Sequence, residues 1–458
     1  MMEATADPVV LIHGVFGWGN KSPLFNLLPN YWPVAELNRI NPNHIIVDVG
    51  KVSSDHDRAC EAFYQLYGGQ VDYGEAHSAQ NGHLRFGATY PTDTAKHTRW
   101  SAEHPVHLLG HSYGATTAIE LYQLLCADFF QVGSTHAWVK SIVCISGPLT
   151  GSTLCNAIGA SLKDDLPVLG PGHIAVAGIG LLWKLQNFYF PWLKHVYDLD
   201  LGHWMNNTTW EMFYSTRSAV HTSRDLALYD LLPARRVQRN SQLVEMDKVH
   251  LLSVVTTATD QHHIPIREWV MTFGVVWLLF RRKRLWPTRS LRCALCLTLI
   301  AMTWRKLGKV DYSKVRSSLW GLIWVIRSYT SSMHKRDPLY DGFDSAHWVH
   351  NDGIVNTYSQ VYPRVEQGAA AAAVEPRRPR SESHMSIDLE VENDSHTTAL
   401  IKGTWHTHRM GKNHLCGTHW DKEAHHLYAH VFKLLNKWVA QNNSVADSSS
   451  STTTTCAT

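Results

Sequence analysis

The chain has 458 residues, 44% of them hydrophobic, and a formal net charge of +3 at pH 7. This length and apolar content allow a large core in one or two domains and exclude a wholly disordered chain. The charge is uneven, because residues 267–336 hold 15 Lys and Arg but two acidic residues, a local excess of +13, leaving −10 for the remainder. Such a basic segment suggests contact with an anionic lipid surface or an ordering partner.

The eight cysteines are few and scattered, so nothing requires an oxidising compartment. The first residues run directly into the apolar "PVVLI", without a basic region followed by a long apolar stretch. A secretory signal is therefore not expected, and an intracellular, membrane-associated location is favoured.

Short apolar runs predict buried strands at 8–12, 44–49, 105–109, 139–146 and 250–258. Helical patterns lie between these runs, notably at 56–68 and 113–126. Buried strands that alternate with helices predict a parallel sheet covered on both faces, which is α/β architecture.

Two apolar runs, 269–280 and 291–304, lie within the basic segment. Each is shorter than the ~20 residues that a membrane-spanning helix needs. They are interpreted either as buried helices or as a monotopic membrane-contact region. Residues 366–397 and the tail from about 443 lack apolar periodicity, which predicts disorder.

The pentapeptide "GHSYG", residues 110–114, places Ser112 between an apolar run and a helical pattern. The pattern alone is weak evidence, because small residues are common in strand-to-helix turns. A nucleophilic serine also needs a histidine base and a carboxylate that orients it, and in α/β-hydrolases the chain order is Ser, acid, His. Downstream, Asp352 in an Asn-Asp-Gly turn is the candidate acid.

The candidate base is one of several C-terminal histidines: His406, His408, His414, His419, His425, His426 and His430. "GKNHLCG" favours His414, which lies in a polar-to-apolar loop, whereas the helical pattern after 422 favours surface positions for the last three. An oxyanion site needs two backbone N–H donors, and the candidates are Tyr113 and Val15 of "HGVFGWG".

A second constellation precedes the serine. Residues 53–91 hold Asp57, His77 and His83, and "TSRDLALYDLLP" at 222–233 offers Asp225 and Asp230. Two imidazoles and a carboxylate are a plausible part of a tetrahedral zinc site. With 29 histidines in the chain, two histidines in one loop are also expected by chance.

Several longer stretches resemble the zinc-containing bacterial lipases of the thermoalkalophilic and staphylococcal type. They include "VVLIHGVFGWG", "LLGHSYG", "VYDLDLGHW", "TSRDLALYDL", "NDGIVNT" and the whole block 53–91, which is the most specific of them. The resemblance spans roughly residues 8–365 and continues more weakly over 400–420. The chain is identified as a divergent, eukaryotic-like member of this group.

The resemblance implies Ser112 as nucleophile, Asp352 as triad acid and His414 as base. It implies a structural zinc ion held by Asp57, His77, His83 and Asp225, because four protein ligands leave no position open for water. The implied fold is an α/β-hydrolase with a mostly parallel sheet, a helical lid near 172–197 and a zinc-bearing accessory region at about 53–91 and 222–233. The core would occupy 1–365 with a basic apolar insertion at 267–340, followed by a disordered insert (366–397), a C-terminal part (398–442) and a disordered tail (443–458).

The family's calcium-binding acids follow the catalytic histidine by two and seven residues, where this chain has Cys416 and Asp421, so calcium is doubtful. The implied activity is serine-dependent hydrolysis of long-chain acylglycerols. An acyltransferase on the same triad and an inactive membrane-associated scaffold are the alternatives. The expected partners are a lipid substrate and a membrane or lipid-droplet surface, with no nucleic acid; the oligomeric state stays open.

Overall fold

A computed structural model describes residues 4–204, 224–259, 270, 273–277, 281, 296, 319–333, 338–365, 386–388 and 401–450. Its centre is a seven-stranded sheet in which every neighbouring pair is parallel. In spatial order the strands are β2 (His44–Ile46), β1 (Val9–Ile12), β5 (Val106–His111), β6 (Val139–Ile145), β7 (His250–Thr256), β9 (Trp405–Met410) and β8 (Ser386–Asp388). A separate antiparallel pair comprises β3 (Gly69–Asp72) and β4 (Phe86–Tyr90).

Helices cover both faces of the sheet. Those of the first half are α1 (Pro23–Asn26), α2 (Val34–Ile40), α3 (Asp55–Tyr67), α4 (Glu75–Asn81), α5 (Tyr113–Cys126), α6 (Thr153–Ala157), α7 (Pro171–Lys184) and α8 (Leu193–Val196). A π-helical turn, Leu185–Tyr189, follows α7. The later helices are α9 (Ala227–Asp230), α10 (Pro233–Asn240), α11 (Trp320–Ser332) and α12 (Ala424–Ser450).

The predicted parallel α/β architecture is confirmed, and all five predicted strands form. Strand β9 was not predicted, because its sequence "WHTHRM" has no apolar run. Its first three residues are nevertheless buried in the sheet, where His406 has no exposed surface. Backbone pairing to β7 on one side and β8 on the other compensates for its polar composition.

The structure differs from the predicted disorder in two places. Residues 386–388 of the predicted insert form β8, since the free edge of β9 offers backbone partners whatever the side chains. Helix α12 continues to Ser450, inside the predicted tail. Its first half is anchored by buried Phe432 and Trp438, and once nucleated a helix gains one hydrogen bond per added residue.

Most of the two apolar runs at 269–304 and the rest of both segments predicted to be disordered lie outside the described residues. Among the described helices, none is long and apolar enough to cross a membrane.

Two apolar clusters fill the space between the sheet and its helices. One contains buried side chains of α3 and α5, including Phe63, and the other contains those of α2 and α12, including Phe432. Sequestering both faces in this way leaves the carboxyl ends of the parallel strands as the open edge, where α/β proteins bind ligands.

The turn between β5 and α5 has no space for a side chain at its glycines. A Cβ at Gly114 would lie 2.0 Å from the carbonyl oxygen of Ile12, and one at Gly110 would lie 2.1 Å from the carbonyl oxygen of Gly114. Backbone atoms cannot move aside at low cost. Gly114 therefore allows the close contact between the turn and β1, and Gly110 allows the tight contact within the turn itself.

Gly114→Ala is therefore expected to lower the free energy of unfolding by about 1–3 kcal/mol or more, as overpacking does. Gly178→Ala in α7 is the matched control, since nothing lies within 4 Å of its Cβ position. Alanine there should stabilise the helix by roughly 0.5–1 kcal/mol. Denaturant unfolding of both variants measures the difference. Equal midpoints for Gly114→Ala and the wild type would contradict the close approach.

Candidate active site and metal centre

Ser112 occupies the turn between β5 and α5 with φ 56° and ψ −128°. A positive φ is rare for a residue with a side chain, and such strain concentrates at functional positions. The serine side chain is 7% exposed, so its hydroxyl lies in a protected site.

Two other predicted residues meet Ser112 at this edge of the sheet. The Nε2 atom of His414 lies 2.7 Å from Ser112 Oγ, and Nδ1 of the same ring lies 2.9 Å from Asp352 Oδ2. Among the seven candidate histidines, His414 is the one that the structure places against the serine. The geometry is that of a hydroxyl, a base and a carboxylate connected in series.

Hydrogen bonds hold the Asp352 carboxylate in its ionised form. Its Oδ1 accepts the backbone N–H groups of Ile354 (3.0 Å) and Val355 (2.8 Å) within the tight Asn-Asp-Gly turn. Complete burial opposes ionisation, but His414 and these N–H groups hold the pKa of Asp352 below its ordinary value. A charged Asp352 can orient His414 and stabilise its protonated form.

Sequence reasoning missed two residues that orient Asp352. The Thr256 hydroxyl (2.8 Å) and Gln360 Nε2 (3.0 Å) both donate to Asp352 Oδ2. Gln360 Oε1 in turn accepts the Thr256 backbone N–H at 2.7 Å. The only sequence feature that could have indicated Gln360 is its position in "NDGIVNTYSQ", eight residues after Asp352.

A further buried chain of hydrogen bonds was also missed. His111 Nε2 lies 2.8 Å from the carbonyl oxygen of His414, and its Nδ1 lies 2.5 Å from the Tyr31 hydroxyl. That hydroxyl accepts the Gly14 backbone N–H at 3.1 Å. Burial lowers the pKa of His111 to about 3, so the ring is neutral and donates to His414 through Nε2. The chain connects the loop of the candidate oxyanion donor to that of the base.

The two candidate oxyanion donors are Val15 and Tyr113. Within the part of the chain that the structure describes, neither backbone N–H donates a hydrogen bond. Tyr113 is the first residue of α5, where N–H groups lack helical partners and carry partial positive charge. Both are available to a developing negative charge beside Ser112.

Ser112 and His414 open into an apolar cavity of about 480 Å³. One wall is formed by α7 through Val176, Ile179 and Trp183. Part of the predicted basic insertion also contributes, because Leu319 and Leu322 lie beside the cavity. Other lining residues are Leu154, Ile158, Leu226, Leu231, Ile354 and Leu415. A site of this kind accepts a hydrocarbon chain next to a nucleophile.

The four predicted metal ligands form one cluster. Asp57, His77, His83 and Asp225 offer ligand atoms that all lie within 4.8 Å of one another. His77 Nε2 lies 3.1 Å from Asp57 Oδ1 and 3.2 Å from Asp225 Oδ2, while His83 Nε2 lies 3.7 Å and 3.4 Å from the same two atoms. Asp230 lies outside this cluster and accepts the Asp55 N–H and the Tyr113 hydroxyl.

The cluster fits a tetrahedral metal ion. Bond lengths of about 2.0–2.2 Å to nitrogen and oxygen imply ligand atoms roughly 3.3 Å apart. The four His–Asp distances of 3.1, 3.2, 3.4 and 3.7 Å are close to this value. His83 Nδ1 faces the Leu84 carbonyl oxygen at 2.9 Å, which fixes the ring. Its Nε2 is buried and has no hydrogen-bond partner among the described residues, an orphaned donor atom that a metal ion would satisfy.

His203 is a fifth polar side chain at this cluster and was not predicted. Its Nε2 lies 3.0 Å from Asp57 Oδ2, the oxygen that faces away from His77 and His83. Burial would raise the pKa of Asp57, but His203, His77 and His83 hold it well below its ordinary value. The sequence pattern that could have indicated His203 is the "GHW" at the end of "VYDLDLGHW".

The candidate calcium position does not suit calcium. Asp421 is ion-paired with Lys412 Nζ at 2.8 Å, and Cys416 Sγ lies 3.8 Å from the sulfur of Met410. Calcium prefers six to eight oxygen ligands, which this pair does not offer.

Glu61 lies behind the cluster and predicts a pH dependence of stability. It accepts the Gly50 N–H (2.6 Å) and the Tyr73 hydroxyl (3.0 Å), and burial raises its pKa to about 8. Because of this raised pKa, Glu61 in the folded chain keeps its proton up to about pH 8, whereas in the unfolded chain it loses the proton near pH 4.5. The free energy of unfolding should therefore fall as pH rises from about 4.5 to 8 and then level off.

Glu61→Gln should remove this dependence and gain about 3 kcal/mol relative to wild type between pH 6 and pH 9, because the raised pKa of about 8 lies two units above pH 6 and one pKa unit corresponds to about 1.4 kcal/mol. Denaturant unfolding at both pH values measures the gain. Glu36→Gln, at a side chain of α2 that is 43% exposed, is the control. An equal pH response in all three proteins would contradict the raised pKa.

A family model described as "Lipase-like, C-terminal domain" matches residues 5–131. Lipase 2 of Staphylococcus aureus is 40% identical over 117 residues, and Lipase 1 of the same species is 37% identical over 126. The aligned segments cover 24% and 26% of this chain but only 16% and 18% of those relatives. The predicted resemblance to staphylococcal-type lipases is confirmed.

Solved structures share the fold over nearly the whole chain. The Staphylococcus hyicus lipase gives a TM-score of 0.62 at 20% identity, covering 97% of this chain and all of that one. Lipase 1 from Pelosinus fermentans gives 0.59 at 24%, covering 94% and 99%. EstA from Clostridium botulinum gives 0.59 at 21%, covering 95% and 88%. The mostly parallel α/β fold is thus shared with these proteins.

Proposed function

We propose that this protein is a lipase with an α/β-hydrolase fold, a serine carboxylester hydrolase that cleaves long-chain acylglycerols. The observation that carries the proposal is the connected series Ser112, His414 and Asp352, at 2.7 Å and 2.9 Å, opening into an apolar cavity. The lipase-like family model that matches residues 5–131, a segment that contains Ser112, supports it, as does the similarity to staphylococcal lipases.

Catalysis begins when Ser112 Oγ attacks the ester carbonyl carbon and its proton passes to His414 Nε2. Asp352 stabilises the resulting imidazolium, and the N–H groups of Val15 and Tyr113 bind the tetrahedral oxyanion. The intermediate collapses when His414 protonates the leaving alcohol oxygen. A water molecule, deprotonated by His414, then attacks the acyl-Ser112 ester, and the second collapse returns the proton to Ser112 and releases the fatty acid.

The apolar cavity selects the acyl chain. Helix α7 and the turns that follow it act as the lid, because α7 forms one cavity wall with Val176 and Trp183 while much of its other face is exposed. Withdrawal of this helix would widen the cavity for a long chain, and its return would exclude water from the acyl-enzyme.

The cluster of Asp57, His77, His83 and Asp225 is proposed to hold a structural Zn²⁺, which when bound cross-links the accessory region. No ligand position is left for a substrate water. Asp55, two residues before Asp57, accepts the hydroxyls of Thr116 (3.1 Å) and Thr117 (2.9 Å) on α5. The region that the metal stabilises is thus in direct contact with the helix that follows Ser112.

We propose one core made from residues 1–365 and 398–442, since β9 and α12 complete the sheet and its cover. The parts of 366–397 and 443–458 outside β8 and α12, whose composition predicts disorder, lie outside the residues that the structure describes.

The function is tested with a long-chain triacylglycerol emulsion, with and without a diacylglycerol or sterol acceptor. We expect free fatty acid as the main product and labelling of Ser112 by a fluorophosphonate, which requires an activated serine. Acyl transfer to the acceptor in preference to water would favour the acyltransferase. Neither labelling nor turnover would favour the inactive scaffold.

A further inference from the structure

Arg58, near the start of α3, is a fully buried arginine. In the described part of the chain, each hydrogen bond that its side chain makes goes to an uncharged group. Nη2 donates to the carbonyl oxygen of His13, Nη1 donates to that of Gly50 at 2.7 Å, and Nε donates to the Thr117 hydroxyl at 3.0 Å. Burial of a charge is costly unless the charge is paired, which indicates that Arg58 has a role besides stability.

The bond to His13 holds the loop that carries the first oxyanion donor, Val15. The His13 carbonyl belongs to the peptide group immediately before the one that carries the Val15 N–H. The neighbouring N–H groups are fixed as well, since that of Gly14 donates to a tyrosine hydroxyl at 3.1 Å and that of Phe16 donates to a backbone carbonyl oxygen at 3.0 Å. Val15 therefore presents its N–H from a loop that is held on both sides.

The same guanidinium packs against Tyr113, the residue that carries the second oxyanion donor. Arg58 Cζ lies 4.8 Å from the centroid of the Tyr113 ring, which is a cation–π contact. At the other end of the ring, the Tyr113 hydroxyl donates to Asp230 Oδ2 at 3.1 Å. Thr117, which accepts the Arg58 Nε–H, lies one turn further along α5. The beginning of α5 is thus fixed by its side chains as well as by its backbone.

The two donors belong to different segments of the chain and must converge on one oxygen atom. Val15 follows β1, whereas Tyr113 follows β5. The loop after β1 passes directly beside the nucleophile, because a Cβ on Gly14 would lie 2.7 Å from Ser112 Cβ. An oxyanion is stabilised only by donors at hydrogen-bond distance, so a small separation of the two segments would weaken both bonds. A guanidinium suits the task of holding them because its planar fork is rigid.

We propose that Arg58 is a positioning residue for ester hydrolysis. It holds the loop of Val15 and the ring of Tyr113 at one separation, so that both N–H groups reach the oxyanion beside Ser112. This role rests on the proposed function. Arg58 acts through these residues and not on the ester itself.

The test compares Arg58→Ala and Arg58→Lys with the wild type in the hydrolysis of a soluble short-chain ester. Arg58→Ala should lower kcat by about 10²-fold, the effect of a displacement of roughly 1 Å in catalytic geometry. Arg58→Lys should lower kcat by roughly tenfold, since an ammonium group lacks the planar fork that reaches two carbonyl oxygens. KM should stay within about twofold of the wild type, because binding is lost only in the transition state. If Arg58→Ala does not fold, Arg58→Lys provides the measurements.

Two further measurements distinguish positioning from a purely structural role. A trifluoromethyl ketone forms a reversible tetrahedral adduct with a nucleophilic serine, and its oxygen takes the place of the oxyanion. The dissociation constant of this adduct should rise by the same factor by which kcat falls. Millimolar guanidinium should restore part of kcat in Arg58→Ala, whereas ammonium at the same concentration should not.

Arg236→Lys is the matched control. Arg236 is also buried and pairs with Asp55 of the same helix, but its described hydrogen bonds go to Asp55 and Asp230 and not to either oxyanion segment. This variant should keep wild-type kcat and adduct affinity, even where its unfolding midpoint falls. Wild-type kcat and adduct affinity in the Arg58 variants, or an equal loss in Arg236→Lys, would overturn the proposal.

Metal content and the wild-type protein provide the remaining controls. Loss of the metal in step with kcat would assign the effect to the neighbouring Asp57, and would also overturn the proposal. A wild-type protein that neither hydrolyses the ester nor reacts with a fluorophosphonate would instead refute the proposed function, and the role of Arg58 with it.

Discussion

Ser112→Ala is expected to lower kcat for ester hydrolysis by roughly 10⁵-fold or more, the size of effect that follows loss of a triad nucleophile. The hydroxyl that lies 2.7 Å from His414 Nε2 is the atom that would attack the ester. Hydrolysis of a long-chain triacylglycerol emulsion and fluorophosphonate labelling measure the loss. Unfolding curves that match the wild type would show that the fold is intact.

His414→Gln should cause a loss of similar order, since residues of a triad act as a unit. His426→Gln is its matched control, because His426 lies in the same C-terminal region but is exposed on α12. The control should retain wild-type turnover. Activity in Ser112→Ala within tenfold of the wild type, or equal losses in both histidine variants, would refute the proposed mechanism.

Removal of the metal is expected to be the second large effect. Without an ion, Asp57 and Asp225 remain as two buried carboxylates that face each other across two imidazoles. An ion present at about 1,000 times its dissociation constant stabilises the fold by about 4 kcal/mol, and chelation should remove that amount. The measurement is denaturant unfolding before and after chelation, with metal analysis expected to give one ion per chain. Added Zn²⁺ should restore the stability.

Two variants distinguish the role of a metal ligand from that of a residue that orients a metal ligand. His83→Ala should abolish stoichiometric binding, because His83 Nε2 faces the two carboxylates of the cluster and makes no hydrogen bond to any residue that the structure describes. His203→Gln should keep one ion per chain but raise the dissociation constant about 10- to 100-fold, since it weakens the contact that orients Asp57. His136→Ala, at a half-exposed site, is the control. Purified protein without metal and with no response to a chelator would contradict the proposed site.

The parts of the molecule that could be predicted are those that a pattern of nearby residues in the sequence specifies. Apolar runs identified β1, β5, β6 and β7, because buried parallel strands must be apolar on both faces. The Gly-x-Ser-x-Gly spacing identified the turn at Ser112, where the structure has the positive φ and the glycine contacts such a turn requires. The long block 53–91 identified three of the four clustered metal-type ligands through its resemblance to known lipases. Each of these signals lies within a few dozen residues of chain.

The contacts between residues that are distant in sequence were decided only by the tertiary structure. His414 lies 302 positions from Ser112. The local pattern favoured His414 but left six other histidines as candidates, and the choice was made only where β9 brings the loop after it to the serine. His203 reaches Asp57 across 146 positions, and Thr256 reaches Asp352 across 96. A hydrogen bond over such separations depends on how the sheet orders its strands, and local propensity does not encode that order. The amino-acid sequence by itself determined five strands of the central sheet, the nucleophile turn and the candidate ligands, while packing selected the base and the side chains that orient it.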